Sequence, residues 1–126
     1  MTELEITKLA AEAMGLDVRV GPLQGTVMRC WIKIGNVEHE YWPLYNDVQA
    51  MALVKKFPVS IKEAHVKSRI EDGPFSPPEI PWYYISIDTG ICYPDAPNGV
   101  WKTEGHDLNR AICECVAKMQ LAKAKP

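Results

Sequence analysis

Asp107-Leu108-Asn109-Arg110-Ala111-Ile112-Cys113-Glu114-Cys115-Val116-Ala117-Lys118-Met119-Gln120 carries its apolar residues at Leu108, Ala111, Ile112, Cys115, Val116 and Met119. That spacing is the stripe of a helix lying on a packed layer. Asp107 stands where a cap belongs, so the helix starts there and runs to about Lys123, with boundaries read from sequence good to about 2 to 4 residues. Lys118, Lys123 and Lys125 fall toward the end where the helix dipole favours cations.

The other segments supply the layer. Thr2 and Glu5 form a capping box, Ile6, Leu9, Ala10 and Ala13 continue a short helix, and Gly15 with Leu16 fits a Schellman close. Between Thr26 and Trp42 the period changes to two: Met28, Cys30, Ile32 and Ile34 alternate with Val27, Arg29, Trp31 and Lys33, and Gly35-Asn36 suits a hairpin turn. Asp17 to Gln24, with Gly21-Pro22, reads as a loop or ragged edge strand. Asn46 and Gln49 repeat the cap logic, and Ala50, Leu53, Val54 and Phe57 give a second helix that Pro58 ends. Val59 to Ser68 alternates loosely as a third strand. Glu71 to Pro81 is a Pro-rich loop, Trp82 to Asp88 an aromatic and β-branched strand, and Thr89 to His106 a second long loop. The order α-β-β-α-β-β-α predicts one α+β domain over residues 1–126, an antiparallel sheet of about four strands with helices packed on it.

At 126 residues with 47% hydrophobic content, the chain has material for a core without disulfides or metals. Lys and Arg number 14 against 16 Asp and Glu, a net charge of -2, so no global field attracts a polyanion and nucleic acid is not an expected partner. The chain shows neither a signal-peptide pattern nor a membrane-length apolar run. A cytoplasmic location with reduced cysteines is therefore the expectation.

The motifs point away from known chemistry. Cys113 and Cys115 are two apart on a helix and project differently, so both cannot easily face one ion. His39, His65 and His106 are scattered, glycines form no phosphate loop, and neither metal nor cofactor is expected. Asp88-Thr89-Gly90 ends a strand, where catalytic carboxylates occur in many folds, yet the tripeptide also makes an ordinary turn and lacks the second aspartate of a proton-sharing pair. A hydrolase built on Asp88 and His106 is consequently the last of three functional readings.

Aromatic residues carry more. Trp82 and Tyr84 read as strand packing, whereas Trp42-Pro43-Leu44-Tyr45 precedes a helix N-terminus, where rings beside free N–H groups suit a flat or anionic ligand or a protein partner. Trp42, Tyr45, Asn46 and Trp101 are thus the candidate binding residues.

Taken together, Leu4-Glu5-Ile6-Thr7-Lys8-Leu9-Ala10-Ala11-Glu12-Ala13, Tyr45-Asn46-Asp47-Val48-Gln49-Ala50-Met51, Trp82-Tyr83-Tyr84-Ile85-Ser86-Ile87 and Leu108-Asn109-Arg110-Ala111-Ile112 resemble small proteins of tailed phages and prophages, the phage ABA-sandwich domain family. The resemblance implies an alpha-beta-alpha sandwich, with no activity and no functional residue to carry over. The leading expectation is a non-enzymatic phage accessory protein that binds a host or phage protein, a class that includes inhibitors of host defence. The second is a binder of a nucleotide-like signal, stacking on Trp42, Tyr45 or Trp101 with an anion at the Asn46 helix start. A homodimer through a strand edge, or through the second face of the last helix at Cys113, Ala117 and Leu121, completes the expectations.

Overall fold

The computed structural model describes residues 1–23, 25, 27–66 and 80–124. The Pro-rich loop expected from Glu71 lies outside those residues up to 79, as do Lys67, Ser68 and Lys125. The first helix, α1 (Glu3–Ala13), forms as its ends require. Thr2 Oγ1 accepts the Glu5 N–H at 3.2 Å. At the other end Gly15 takes φ 74 while the Leu16 N–H reaches the Ala11 carbonyl at 3.0 Å, the Schellman close. Ile6, Ala10 and Ala11 are the buried face.

Three strands follow, β1 (Val18–Leu23), β2 (Val27–Ile34) and β3 (Val37–Tyr41), paired antiparallel in that order. The segment read as a loop or ragged edge is a full strand, registered on β2 from Val18↔Ile32 to Leu23↔Val27. Pro22 is tolerated because β1 is an edge. The Trp31 indole N–H clamps it by donating to the Gly21 carbonyl at 3.2 Å. The expected hairpin closes at Gly35, with φ 63 and Ile34 opposite Val37.

Helix α2 (Asp47–Lys56) leads to a second meander, β4 (Val59–Val66), β5 (Ile80–Asp88) and β6 (Val100–Gly105). β6 lies inside the stretch expected to be one long loop. Its inward residues are Trp101 and Thr103, and a buried threonine hides the apolar alternation that marks a strand. The Thr103 hydroxyl escapes the penalty of burial by donating to the Ala111 carbonyl at 2.6 Å. The sheet therefore differs from the four-stranded one expected: among the described residues six strands form two separate three-stranded antiparallel sheets, in the order α-β-β-β-α-β-β-β-α.

The last helix, α3 (Leu108–Ala124), joins the two halves. It packs against α1, α2, β5 and β6, while α1 rests on β1 and β2. Cys115 faces the second sheet, its thiol 3.4 Å from the Trp101 carbonyl. Cys113, on another side of the helix, lies close enough to Tyr41 of β3 to act on its hydroxyl. Ala111, Ile112, Cys113, Cys115, Val116, Ala117 and Met119 are all buried. This overturns one dimer surface expected from sequence, since Cys113 and Ala117 are fully covered by their own chain and only Leu121 stays exposed. Among the described residues no helix is long and apolar enough to cross a membrane.

Candidate functional site

Where β3 hands over to α2, the chain builds a braced aromatic corner. Pro43 and Leu44 are buried, pinning the turn, and the Tyr45 N–H closes it on the Trp42 carbonyl at 3.0 Å. The Trp42 and Tyr45 rings stack with centroids 5.6 Å apart and planes 11° from parallel. The Arg29 guanidinium lies over the Trp42 ring, 4.4 Å from its centroid, a cation–π contact. The same guanidinium sits 3.2 Å from Glu40, although its Nε makes no well-angled hydrogen bond.

Tyr45 remains 65% exposed while its hydroxyl donates to Glu3 at 3.1 Å. That hydrogen bond to a carboxylate, reinforced by the carboxylate's charge, holds the phenol above its ordinary pKa. Arg110 of α3 bridges Glu3 at 3.3 Å and Glu114 at 2.7 Å. One surface chain thus ties the corner to α1 and α3.

Of the four residues singled out from sequence, Trp42, Tyr45 and Asn46 come together here. Asn46 serves as the α2 cap, its Oδ1 accepting the Gln49 N–H at 3.1 Å. The anion expected at this helix start meets carboxylate chemistry already in place, because Asp47 occupies the first turn and accepts from the Asn109 amide at 2.7 Å. Gln49 does more than sequence suggested: its side chain accepts the Trp42 N–H at 2.6 Å and donates to the Glu40 carbonyl at 3.1 Å. Glu3, Arg29 and Arg110 also escaped notice, since contacts between residues so far apart in sequence carry no periodic signal.

Trp101 is elsewhere, 5% exposed and packed on Tyr93 at 5.6 Å between centroids. Its indole N–H is buried without a partner among the described residues. It contributes to a cleft of about 450 Å³ with Asp95, Val100, Lys102, Lys118 and Leu121. Asp88 and His106 are not brought together. Asp88 pairs with Val100 at one end of the β5–β6 ladder and Gly105 pairs with Tyr83 toward the other, roughly 17 Å away at the strand rise. Asp88 accepts the Gly90 N–H at 3.0 Å, closing its own turn, and His106 lies tilted on Trp82 at 6.5 Å.

The two thiols of α3 are set apart from chemistry by burial, which pushes Cys115 up to about 11 and Cys113 up to about 12. Such thiols stay protonated and unreactive near neutrality.

A second surface went unread in the sequence. On β4, β5 and β6 the register sets Tyr84 between Lys62 and Glu104, and Ser86 between Ser60 and Lys102. Directly paired residues share a face, here the one turned away from the buried Ile85 and Ile87. These six residues line a hollow of about 610 Å³ together with Ile61, Ile85 and Thr103 between them and Glu114 and Lys118 of α3. The alternation of Tyr84 and Ser86 with Ile85 and Ile87 was the available signal.

Comparison with family models, with curated proteins and with solved structures finds no match to this chain.

Proposed function

We propose that the protein is a non-enzymatic accessory protein of a tailed phage or prophage that works by binding a host or phage protein through the Tyr45 corner. The carrying observation is an exposed aromatic anchor on a rigid mount: Tyr45 is 65% and Val48 80% exposed, while the Trp42 stack and the Glu3–Arg110–Glu114 chain hold the ring in place. An aromatic anchor with an apolar neighbour and a charged rim is the usual make-up of an interface hot spot. A ring already fixed loses little freedom on docking.

The phage assignment rests on the sequence resemblance of the four blocks. The non-enzymatic reading is supported by the separation of Asp88 from His106 and by the capping work that Asn46 performs. A cytoplasmic site of action and an inhibitory effect on host defence belong to the same proposal.

Capture from a lysate of the host bacterium, run side by side with wild type and with Tyr45→Ala, tests it. A hot-spot anchor predicts that the variant loses at least about 2 kcal/mol of affinity, near thirtyfold, for the partner that wild type retains. A partner retained equally by both proteins would remove the corner from the interaction.

A further inference from the structure

We infer that the hollow bounded by the second sheet and α3 binds a free nucleoside phosphate, with the base on Tyr84 and the phosphate between Lys102 and Lys118. The inference goes beyond the protein-binding corner, which uses none of these residues. β5 is the middle strand, and among the described residues α3 packs on β5 and β6 and brings Glu114 and Lys118 to the hollow. Tyr84, 42% exposed, lines the 610 Å³ hollow. A hollow of that size lies within the range of small-molecule sites, about 300 to 1,000 Å³.

The polar groups around the ring divide by charge. Lys102 and Lys118 line both this hollow and the neighbouring 450 Å³ cleft, so both lysines border the two spaces. A phosphate placed there meets both. Ser60 and Ser86 add hydroxyl donors on the adjoining strands. Tyr84 offers a ring face, on which any base stacks. Lys62 and Glu104 flank Tyr84 on its two neighbouring strands; Glu104, an acceptor, suits an exocyclic amine or a ribose hydroxyl, and Lys62 suits a ring nitrogen or carbonyl. Glu114, the other carboxylate of the hollow, is engaged by Arg110 at 2.7 Å and repels the phosphate less for it.

The overall charge chooses between a free nucleotide and a strand. A polynucleotide is held by many lysine and arginine contacts along its backbone, whereas this chain carries net charge -2 and brings three lysines to the hollow. A single nucleotide needs no more than that.

Calorimetric titration of the full chain with AMP, adenosine, inorganic phosphate and a single-stranded deca-adenylate tests the inference. AMP should bind, and adenosine and phosphate should each bind about tenfold more weakly or worse, because each keeps half of the contacts. Tyr84→Ala should weaken AMP about tenfold, Tyr84→Phe should retain it, and Lys102→Ala with Lys118→Ala should reduce AMP to the level of adenosine. Tyr45→Ala should leave AMP binding unchanged, which separates this site from the protein-binding corner. Absence of AMP binding, equal binding by Tyr84→Ala when circular dichroism shows it folded, or a deca-adenylate bound more than about tenfold more tightly than AMP would each overturn the inference.

Discussion

Tyr41 keeps its hydroxyl in the core without a hydrogen-bond partner among the described residues, and the side chain is 3% exposed. Burial, and the nearby Cys113 and Cys30 thiols, raise its pKa above the ordinary phenol range. An unpaired buried hydroxyl costs about 1 to 3 kcal/mol, so Tyr41→Phe should stabilise the fold by about 1 kcal/mol, read as a shift of the urea midpoint to higher concentration. The thiols make a second prediction at this scale. Cys113 and Cys115 are pushed up to about 12 and about 11 by burial, against 9.0 when unburied. The folded state therefore holds protons that the unfolded chain releases above pH 9. Stability should be flat below that pH and fall as pH rises toward 11 and 12, by up to about 1.4 kcal/mol per pH unit for each thiol. Urea unfolding across this range checks it, and Cys113→Ala should make the fall shallower.

At the scale of elements, the α2 start shows what a candidate binding residue does instead. Asn46→Ala should cost about 1 kcal/mol of stability while Asn46→Ser restores most of it, the pattern of a cap. Gln49→Ala should cost more, about 1 to 3 kcal/mol, since it strips the Trp42 N–H of its partner. Thermal melts of the three variants rank them. Capping and periodic signals made α1, α2, α3, the β2–β3 hairpin and β5 legible from sequence, because their causes lie within a few neighbouring residues. β6 was not, because Thr103 replaces an apolar residue on its inner face and finds its acceptor on α3, eight residues away in sequence. β1 stood between these cases: its valines alternate, but Gly21 and Pro22 suggested a loop and only the pairing with β2 decides the matter.

For the whole molecule, the division into two sheets follows from the same long-range pairings, which no local pattern announces. What sequence did convey is that the last helix matters most, and its apolar residues now prove buried on more sides than one stripe implies. The Tyr45 corner was half legible: the aromatic pair and the helix start were readable, whereas Glu3 and Arg110 reach it through tertiary folding alone. Because α3 and α1 link both sheets, the domain should unfold in one step. Trp31 and Trp42 report on the first half, and Trp82 and Trp101 on the second. Fluorescence of the Trp31→Phe, Trp42→Phe double variant, which keeps the second pair alone, should give the same midpoint as its far-ultraviolet circular dichroism. Two separated midpoints would mean that the sheets are independent.

The decisive measurement is amide hydrogen exchange on the free protein and on its complex with the captured partner. Docking at the corner predicts slowed exchange over Trp42–Gln49 and the first turns of α1 and α3, with β5 and β6 unchanged. Slowed exchange over β5 and β6, with Trp42–Gln49 exchanging as in the free protein, would contradict it.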